Sequence, residues 1–311
     1  MSQVAVIGAG LIGRSWAIVF ACAGWRVVLH DTVPAALDKA LGHIRGGLEE
    51  LESSGLVEDP GAAMTRIAVA RDLSHALEGA VLVQENVPET LEAKRSIFAE
   101  LDRLAAPEAI LASSTSAIGA SHFAEPLAGR HRCLVAHPVN PPHLVPLVEL
   151  VGSPWTAPQI LERAKSIYEL IGQVPIVVRR EIDGFVLNRL QGALLAEAFR
   201  LVGEGYVSAH DLDKTVKDGL GLRWSFMGPF ATIELNAPGG VPDYCARYTV
   251  AYRRIQADPA TPAVYDNQNI DRIIDQWGAT PTPAELTRRT EWRNRRLAAL
   301  RAHKRSQPDR P

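Results

Sequence analysis

The feature that most narrows the fold stands at the start of the chain. A short apolar run ends in Gly8-Ala9-Gly10-Leu11-Ile12-Gly13, and an apolar-periodic stretch from Leu11 to Ala23 follows at once. Strand, glycine turn and helix in that order open a βαβ unit whose turn accepts a dinucleotide. Gly8 permits the tight turn, Gly10 lets the backbone approach a pyrophosphate, and Gly13 lets the helix lie close on the strand. The free N–H groups of Leu11 and Ile12 then face the phosphates, where the helix dipole favours negative charge. A purely structural glycine turn is the competing explanation, and Asp31 argues against it. That acid ends the second apolar run 18 residues after Gly13, where a carboxylate accepts hydrogen bonds from a ribose diol. It repels a 2′-phosphate, and Thr32-Val33-Pro34 supply no Lys or Arg to receive one, so the expected cofactor is NAD rather than NADP. A cap on the next helix is the other role an Asp fills there.

Short β-branched runs then alternate with longer helical patterns, which predicts a parallel sheet with crossover helices. Strands are expected at Gln3–Ile7, Arg26–His30, Arg66–Ala70, Ala80–Gln84, Ala109–Ala112, Arg132–Ala136, Leu147–Leu150 and Pro175–Val178. Helices are expected at Leu11–Ala23, Pro34–Glu52, Glu89–Leu104 and Ala157–Ile171. From Asp183 the strand signal stops, and helical periodicity punctuated by Gly and Pro takes over. The expected class is α/β: a Rossmann-type, doubly wound, mostly parallel sheet over residues 1–182, then an all-helical domain over 183–311 for substrate binding and dimerisation. Phe185–Val202 is apolar nearly all round, so it either centres that second domain or forms a subunit interface. The basic stretch from Arg288 to Arg310 reads as a solvated terminal helix and tail.

Composition limits the partners. Lys and Arg total 33 against 35 Asp and Glu, a net charge of −2, so no global field holds nucleic acid. Cys22, Cys133 and Cys245 are scattered without a C-x-x-C pair, which provides neither a metal site nor a disulfide framework and suits a reducing cytoplasm. No apolar stretch reaches the roughly 18 residues of a membrane helix. Val4–Ile12 lacks the basic flank and cleavage pattern of a secretion signal.

Polar residues in apolar surroundings mark a candidate reaction centre. His137 directly follows the run Arg132–Ala136, and Ser116 follows Ala109–Ala112 within Ser113-Ser114-Thr115-Ser116. Ligands of open parallel sheets bind beyond the carboxyl ends of the strands, so both side chains should share one rim with the cofactor. A lone His is more often packed or solvated than catalytic. Glu149, however, interrupts the apolar Leu144–Val151, where a buried carboxylate needs a partner such as that imidazole. Asn188 is similarly out of place in an apolar helix, either as an interhelical contact or as a substrate contact.

His137-Pro138-Val139-Asn140-Pro141-Pro142, Pro146-Leu147-Val148-Glu149-Leu150 and Gly184-Phe185-Val186-Leu187-Asn188-Arg189-Leu190-Gln191 together resemble the motifs of the 3-hydroxyacyl-CoA dehydrogenase superfamily. Gly221-Leu222-Arg223-Trp224-Ser225-Phe226-Met227-Gly228-Pro229 and Glu234-Leu235-Asn236-Ala237 resemble its lambda-crystallin branch, whose enzyme form is L-gulonate 3-dehydrogenase. The resemblance runs from Gly8 to about Leu300. It implies that His137 is the catalytic base, Glu149 its partner, and Ser116 and Asn188 the groups that hold the reacting oxygen. It also implies that Glu89 and Lys94 contact the cofactor on its nicotinamide side and that the chain is a homodimer. Asn140 is expected to position the loop or the substrate.

Substrate size is the open point. A CoA thioester calls for Lys or Arg beside the cleft, and Gly55–Leu77 offers only Arg66 and Arg71. Arg223, in the loop before Gly228-Pro229, could clamp a free carboxylate. A free 3-hydroxy acid is therefore favoured over a 3-hydroxyacyl-CoA such as 3-hydroxybutyryl-CoA, with carnitine as a further alternative. An NAD-binding sensor or crystallin-like structural protein is the noncatalytic reading, which predicts a degraded reaction centre.

Overall fold

The structure, a computed structural model, describes residues 2–307. Eight strands form one sheet: β1 Gln3–Ile7, β2 Arg26–His30, β3 Ile67–Ala70, β4 Leu82–Glu85, β5 Ile110–Ser113, β6 Cys133–Pro138, β7 Leu147–Gly152 and β8 Val174–Val178. Their order across the sheet is β3-β2-β1-β4-β5-β6-β7-β8. The order reverses between β1 and β4, which creates the crevice where ligands of such sheets bind. Every pairing is parallel except β6 with β7. That antiparallel pair follows from chain length: residues 139–146 between them are too few for the crossover that parallel neighbours need.

Two apolar layers cover the sheet, and strand alternation decides which residue enters which. Val4 and Val6 of β1, Leu134 and Ala136 of β6, and Val148 and Leu150 of β7 face one layer. There they meet Trp16 and Phe20 of α1 (Leu11–Cys22), Ile44 and Leu48 of α2 (Pro34–Ser53), and a buried Tyr168. Ala5, Ile7, Val83, Leu111 and Val135 face the other layer, against Phe98, Leu101, Phe123 and Phe185. Burial on both faces is why these strands read as continuous apolar runs. Each fully buried large apolar side chain contributes about 1.5–3 kcal/mol.

The chain packs as two units, one of residues 1–188 with 289–306, the other containing 189–288. This differs from the division at 182/183 expected above. The long helix α14 (Pro283–Arg305) begins in the second unit and ends in the first, where Ala298 is fully buried in the sheet's core. The basic terminal helix is therefore packed rather than solvated over that part, and the tail beyond 307 lies outside the described residues. The helix expected at Phe185–Val202 is α8, Leu187–Gly203, of which only Val202 is buried. Among the described residues no helix is long and apolar enough to cross a membrane, and no His, Cys, Asp and Glu side chains gather as a metal site.

Candidate active site

The glycine turn carries the geometry that its spacing predicts. Gly8 has φ +96°, and a Cβ there would lie 2.6 Å from the Asn86 carbonyl oxygen. A Cβ on Gly13 would lie 1.8 Å from the Gly8 carbonyl oxygen, so α1 sits against the turn with no room for a side chain. Gly10 is the opposite case: nothing stands within 4 Å of its Cβ position, and it caps α1 without any side chain. The first turn of α1 holds no acid, which leaves its N–H groups and dipole free for a pyrophosphate. Asp31 Oδ2 accepts the Ala9 N–H at 2.8 Å and Oδ1 accepts the Val33 N–H at 2.9 Å. Those two bonds fix the carboxylate just beyond β2, where its remaining lone pairs could accept from a ribose diol. The residues present thus fit a dinucleotide without a 2′-phosphate.

Below the turn lies a polar network that sequence reading passed over. Ser114 Oγ receives hydrogen bonds from Trp16 Nε1 at 3.0 Å and Gln84 Nε2 at 2.8 Å, and donates to Asn86 Oδ1 at 2.7 Å. Tyr168 Oη donates to Gln84 Oε1. The signal was the polar Gln84-Glu85-Asn86 closing the apolar Val81-Leu82-Val83. Buried polar groups persist only when bonded, and these tie the switch point together.

Lys94 is enclosed by the fold. Its ammonium is 1% exposed and donates to Glu85 Oε1 at 2.9 Å, Glu85 Oε2 at 3.0 Å and the Val87 carbonyl at 3.2 Å. Glu85, itself fully buried, also accepts from Ser113 Oγ at 2.6 Å. In this arrangement the ammonium neutralises the buried Glu85. Glu89 Oε1 accepts from Thr115 Oγ1 at 2.5 Å, Ser116 N at 2.8 Å and Ala117 N at 3.2 Å. Partial burial opposes its charge, but these bonds and Lys94 outweigh that and hold Glu89 below the usual carboxylate range. Glu89 thereby fixes the loop that presents Ser116.

His137 and Glu149 face each other across β6 and β7, in register. His137 Nδ1 and Glu149 Oε2 are 2.7 Å apart, and the carboxylate is wholly buried. Glu149 Oε1 accepts two backbone N–H groups, Val186 at 2.8 Å and Leu187 at 3.0 Å. Burial would raise this acid, but the hydrogen bonds from His137, Leu187 and Val186 prevail and keep it below the usual carboxylate range. The two N–H groups are presented by a turn with Gly184 at φ +74° and Phe185 at φ +46°. Successive backbone N–H groups in a turn make anion-binding concavities, and a strained Phe is held there by burial against His137, ring centroids 5.6 Å apart. Asn188, one residue into α8, donates from Nδ2 to the Ser116 carbonyl at 3.1 Å, which joins the serine loop to the helix motif. Asn140 is exposed in the β6–β7 connection. Arg223 lies in the second unit, exposed on a short helix, Gly221–Trp224, rather than in a loop.

A dinucleotide turn at the sheet's switch point, with a carboxylate-oriented imidazole on the same sheet, defines an NAD-dependent oxidoreductase acting on a CH–OH group. The chain belongs to the 3-hydroxyacyl-CoA dehydrogenase family, in its lambda-crystallin branch: the family's NAD-binding domain matches residues 3–182 and its C-terminal domain residues 184–280. It is 42% identical to lambda-crystallin of Oryctolagus cuniculus over 96% of each chain. It is 41% identical to L-carnitine dehydrogenase of Oceanobacillus iheyensis over 76% of each. A solved structure of 5-formyl-3-hydroxy-2-methylpyridine 4-carboxylic acid 5-dehydrogenase, described as an NAD+-dependent dismutase, superposes with TM-score 0.85 at 28% identity. That match covers 99% of this chain and 100% of the other.

Proposed function

We propose that this chain uses NAD to oxidise the 3-hydroxyl of a small, free 3-hydroxy acid, of the sugar-acid type represented by L-gulonate, as a cytoplasmic homodimer. The His137–Glu149 pair carries the proposal. With Nδ1–H committed to Glu149 at 2.7 Å, the neutral imidazole keeps its lone pair on Nε2, the tautomer a general base requires. His137 takes the hydroxyl proton as hydride leaves C3, and Glu149 stabilises the imidazolium that forms. Bound NAD supplies the hydride acceptor, so one alcohol becomes one ketone, with NADH and a proton as the other products. The Ser116 hydroxyl and the free amide N–H of Asn188 hold the reacting oxygen as charge develops.

The choice of a free acid over a thioester rests on the basic residues. Of the two arginines in Gly55–Leu77, Arg66 lines a cavity that shares no residue with the glycine turn or with His137, which leaves Arg71. Arg223 is assigned to the substrate carboxylate. The resemblance to the branch whose enzyme form is L-gulonate 3-dehydrogenase motivates the same choice, while the carnitine dehydrogenase relative supports a competing acid. The test is NADH absorbance when the protein meets NAD with L-gulonate, L-carnitine, 3-hydroxybutyrate or 3-hydroxybutyryl-CoA. The expected result is a kcat/KM at least about tenfold higher for a free sugar acid, lost through KM in Arg223→Leu, a gap of about 1.4 kcal/mol. Preference for the thioester overturns the assignment, and silence with all four removes the enzyme reading.

A further inference from the structure

The first unit contains a cavity of about 500 Å³ that shares no residue with Ser116, His137, Glu149, Asn188 or the glycine turn. It lies among the second half of α1, the segment from Leu56 through α3 (Pro60–Thr65), the turn before β8, and the end of α14. Arg66, Arg301 and Arg305 all line it. Each guanidinium is anchored by a single bond to a backbone carbonyl: Arg66 to Ala21 at 3.0 Å, Arg301 to His143, and Arg305 to Leu56 at 3.2 Å. Their remaining N–H donors are uncommitted. Among the described residues none of these three arginines forms an ion pair with a carboxylate, unlike Arg132, Arg200 and Arg247. The acids on the wall, Glu58 and Asp59, do not change this, and Asp59 Oδ1 is engaged by the Ala62 N–H at 2.7 Å.

Two further side chains mark the cavity as built for a ligand. Gln173 is 5% exposed and His143 9% exposed, and both line it. Neither amide atom of Gln173 has a hydrogen-bond partner, nor does His143 Nδ1. Buried polar atoms without partners are costly to leave unsatisfied. Three guanidinium groups on one cavity without a counter-ion also repel one another. Burial already pulls Arg301 down, with Arg305 adding repulsion. An anion with hydrogen-bond acceptors relieves all of these at once. Ile18, Val19, Leu56 and Ile171 complete the wall with apolar surface.

We propose that this cavity is a second ligand site for a small organic anion, with a carboxylate or phosphate head held by Arg66, Arg301, Arg305 and Gln173 and a short apolar body against α1. Cys22, on the cavity wall and exposed, is a built-in reporter, with Cys245 as an exposed control. The full-length protein, saturated with NAD to occupy the glycine turn, is titrated calorimetrically with hexanoate, hexyl phosphate and inorganic phosphate. At least one organic probe is expected to bind one per chain, to slow alkylation of Cys22 by iodoacetamide at least fivefold, and to leave Cys245 unaffected. Arg301→Gln and Arg305→Gln are each expected to raise its Kd at least tenfold. Arg305 is exposed, so its variant tests the site even if Arg301→Gln does not fold. Stronger binding of hexyl phosphate or hexanoate identifies the head group. Binding by inorganic phosphate alone, no binding at millimolar concentration, or binding that leaves the Cys22 rate unchanged overturns the proposal.

Discussion

In the proposed mechanism His137 and Glu149 divide the work of one proton transfer, and their separate losses should differ. His137→Gln removes the base itself, and kcat is expected to fall at least ~10²-fold, the usual worth of acid–base catalysis. Glu149→Gln keeps the two backbone bonds to Val186 and Leu187 but cannot stabilise an imidazolium, so kcat should fall while the KM for NAD holds. Steady-state NADH formation reads both, and a near-normal rate in His137→Gln removes its role. A second histidine sets a pH dependence of stability. His143 is lowered from 6.5 to about 4, first by burial and then by Arg301, Arg14 and Arg293. The folded state therefore resists a proton that the unfolded chain accepts, and stability falls as pH drops from about 6.5 through about 4, by on the order of 3 kcal/mol in all. Denaturant unfolding at pH 7, 5.5 and 4.5 should show a smaller loss in His143→Phe than in the parent, and equal losses would exclude His143 as the source.

At the scale of elements, the glycine turn separates folding from binding. Gly13→Ala places a methyl group on the Gly8 backbone, which cannot yield, so a loss on the order of 3 kcal/mol or more and a lower Tm are expected. Gly10→Ala meets open space and should hold stability to within about 1 kcal/mol, while its methyl obstructs the pyrophosphate and raises the NAD Kd at least tenfold. Paired thermal melts and NAD titrations check both, and unchanged NAD affinity in Gly10→Ala would contradict the docking geometry. This turn was legible in the sequence because its chemistry is local. Glu149 was legible too, since a carboxylate in an apolar strand demands a partner. The burial of Lys94 was not legible, because a lysine near a helix start looks like surface until the fold brings buried Glu85 beneath it. The antiparallel β6–β7 pairing had a readable signal in its short connection, whereas the return of α14 to the first unit had none. That helix is dominated by Arg and Lys, and only the fold reveals that Ala298 and Arg301 turn inward.

For the whole molecule, α8 is the strongest pointer to a second copy. Leu190 is 64% exposed, Leu194 37% and Leu195 41%, an apolar stripe at helical spacing that a single chain leaves to water. The expectation is a dimer of twice the chain mass in light scattering, shifted to monomer by Leu190→Asp with Leu194→Asp. A parent protein that remains monomeric at micromolar concentration would refute it.

Ser116, His137, Glu149 and Asn188 all fall within residues 1–188, so in the proposed mechanism the proton path is complete before the chain enters residues 189–288. Changes in that later stretch would then touch the substrate's far end rather than the imidazole and its counter-charge. Inheritance can thus try new alcohols against an unchanged chemical engine.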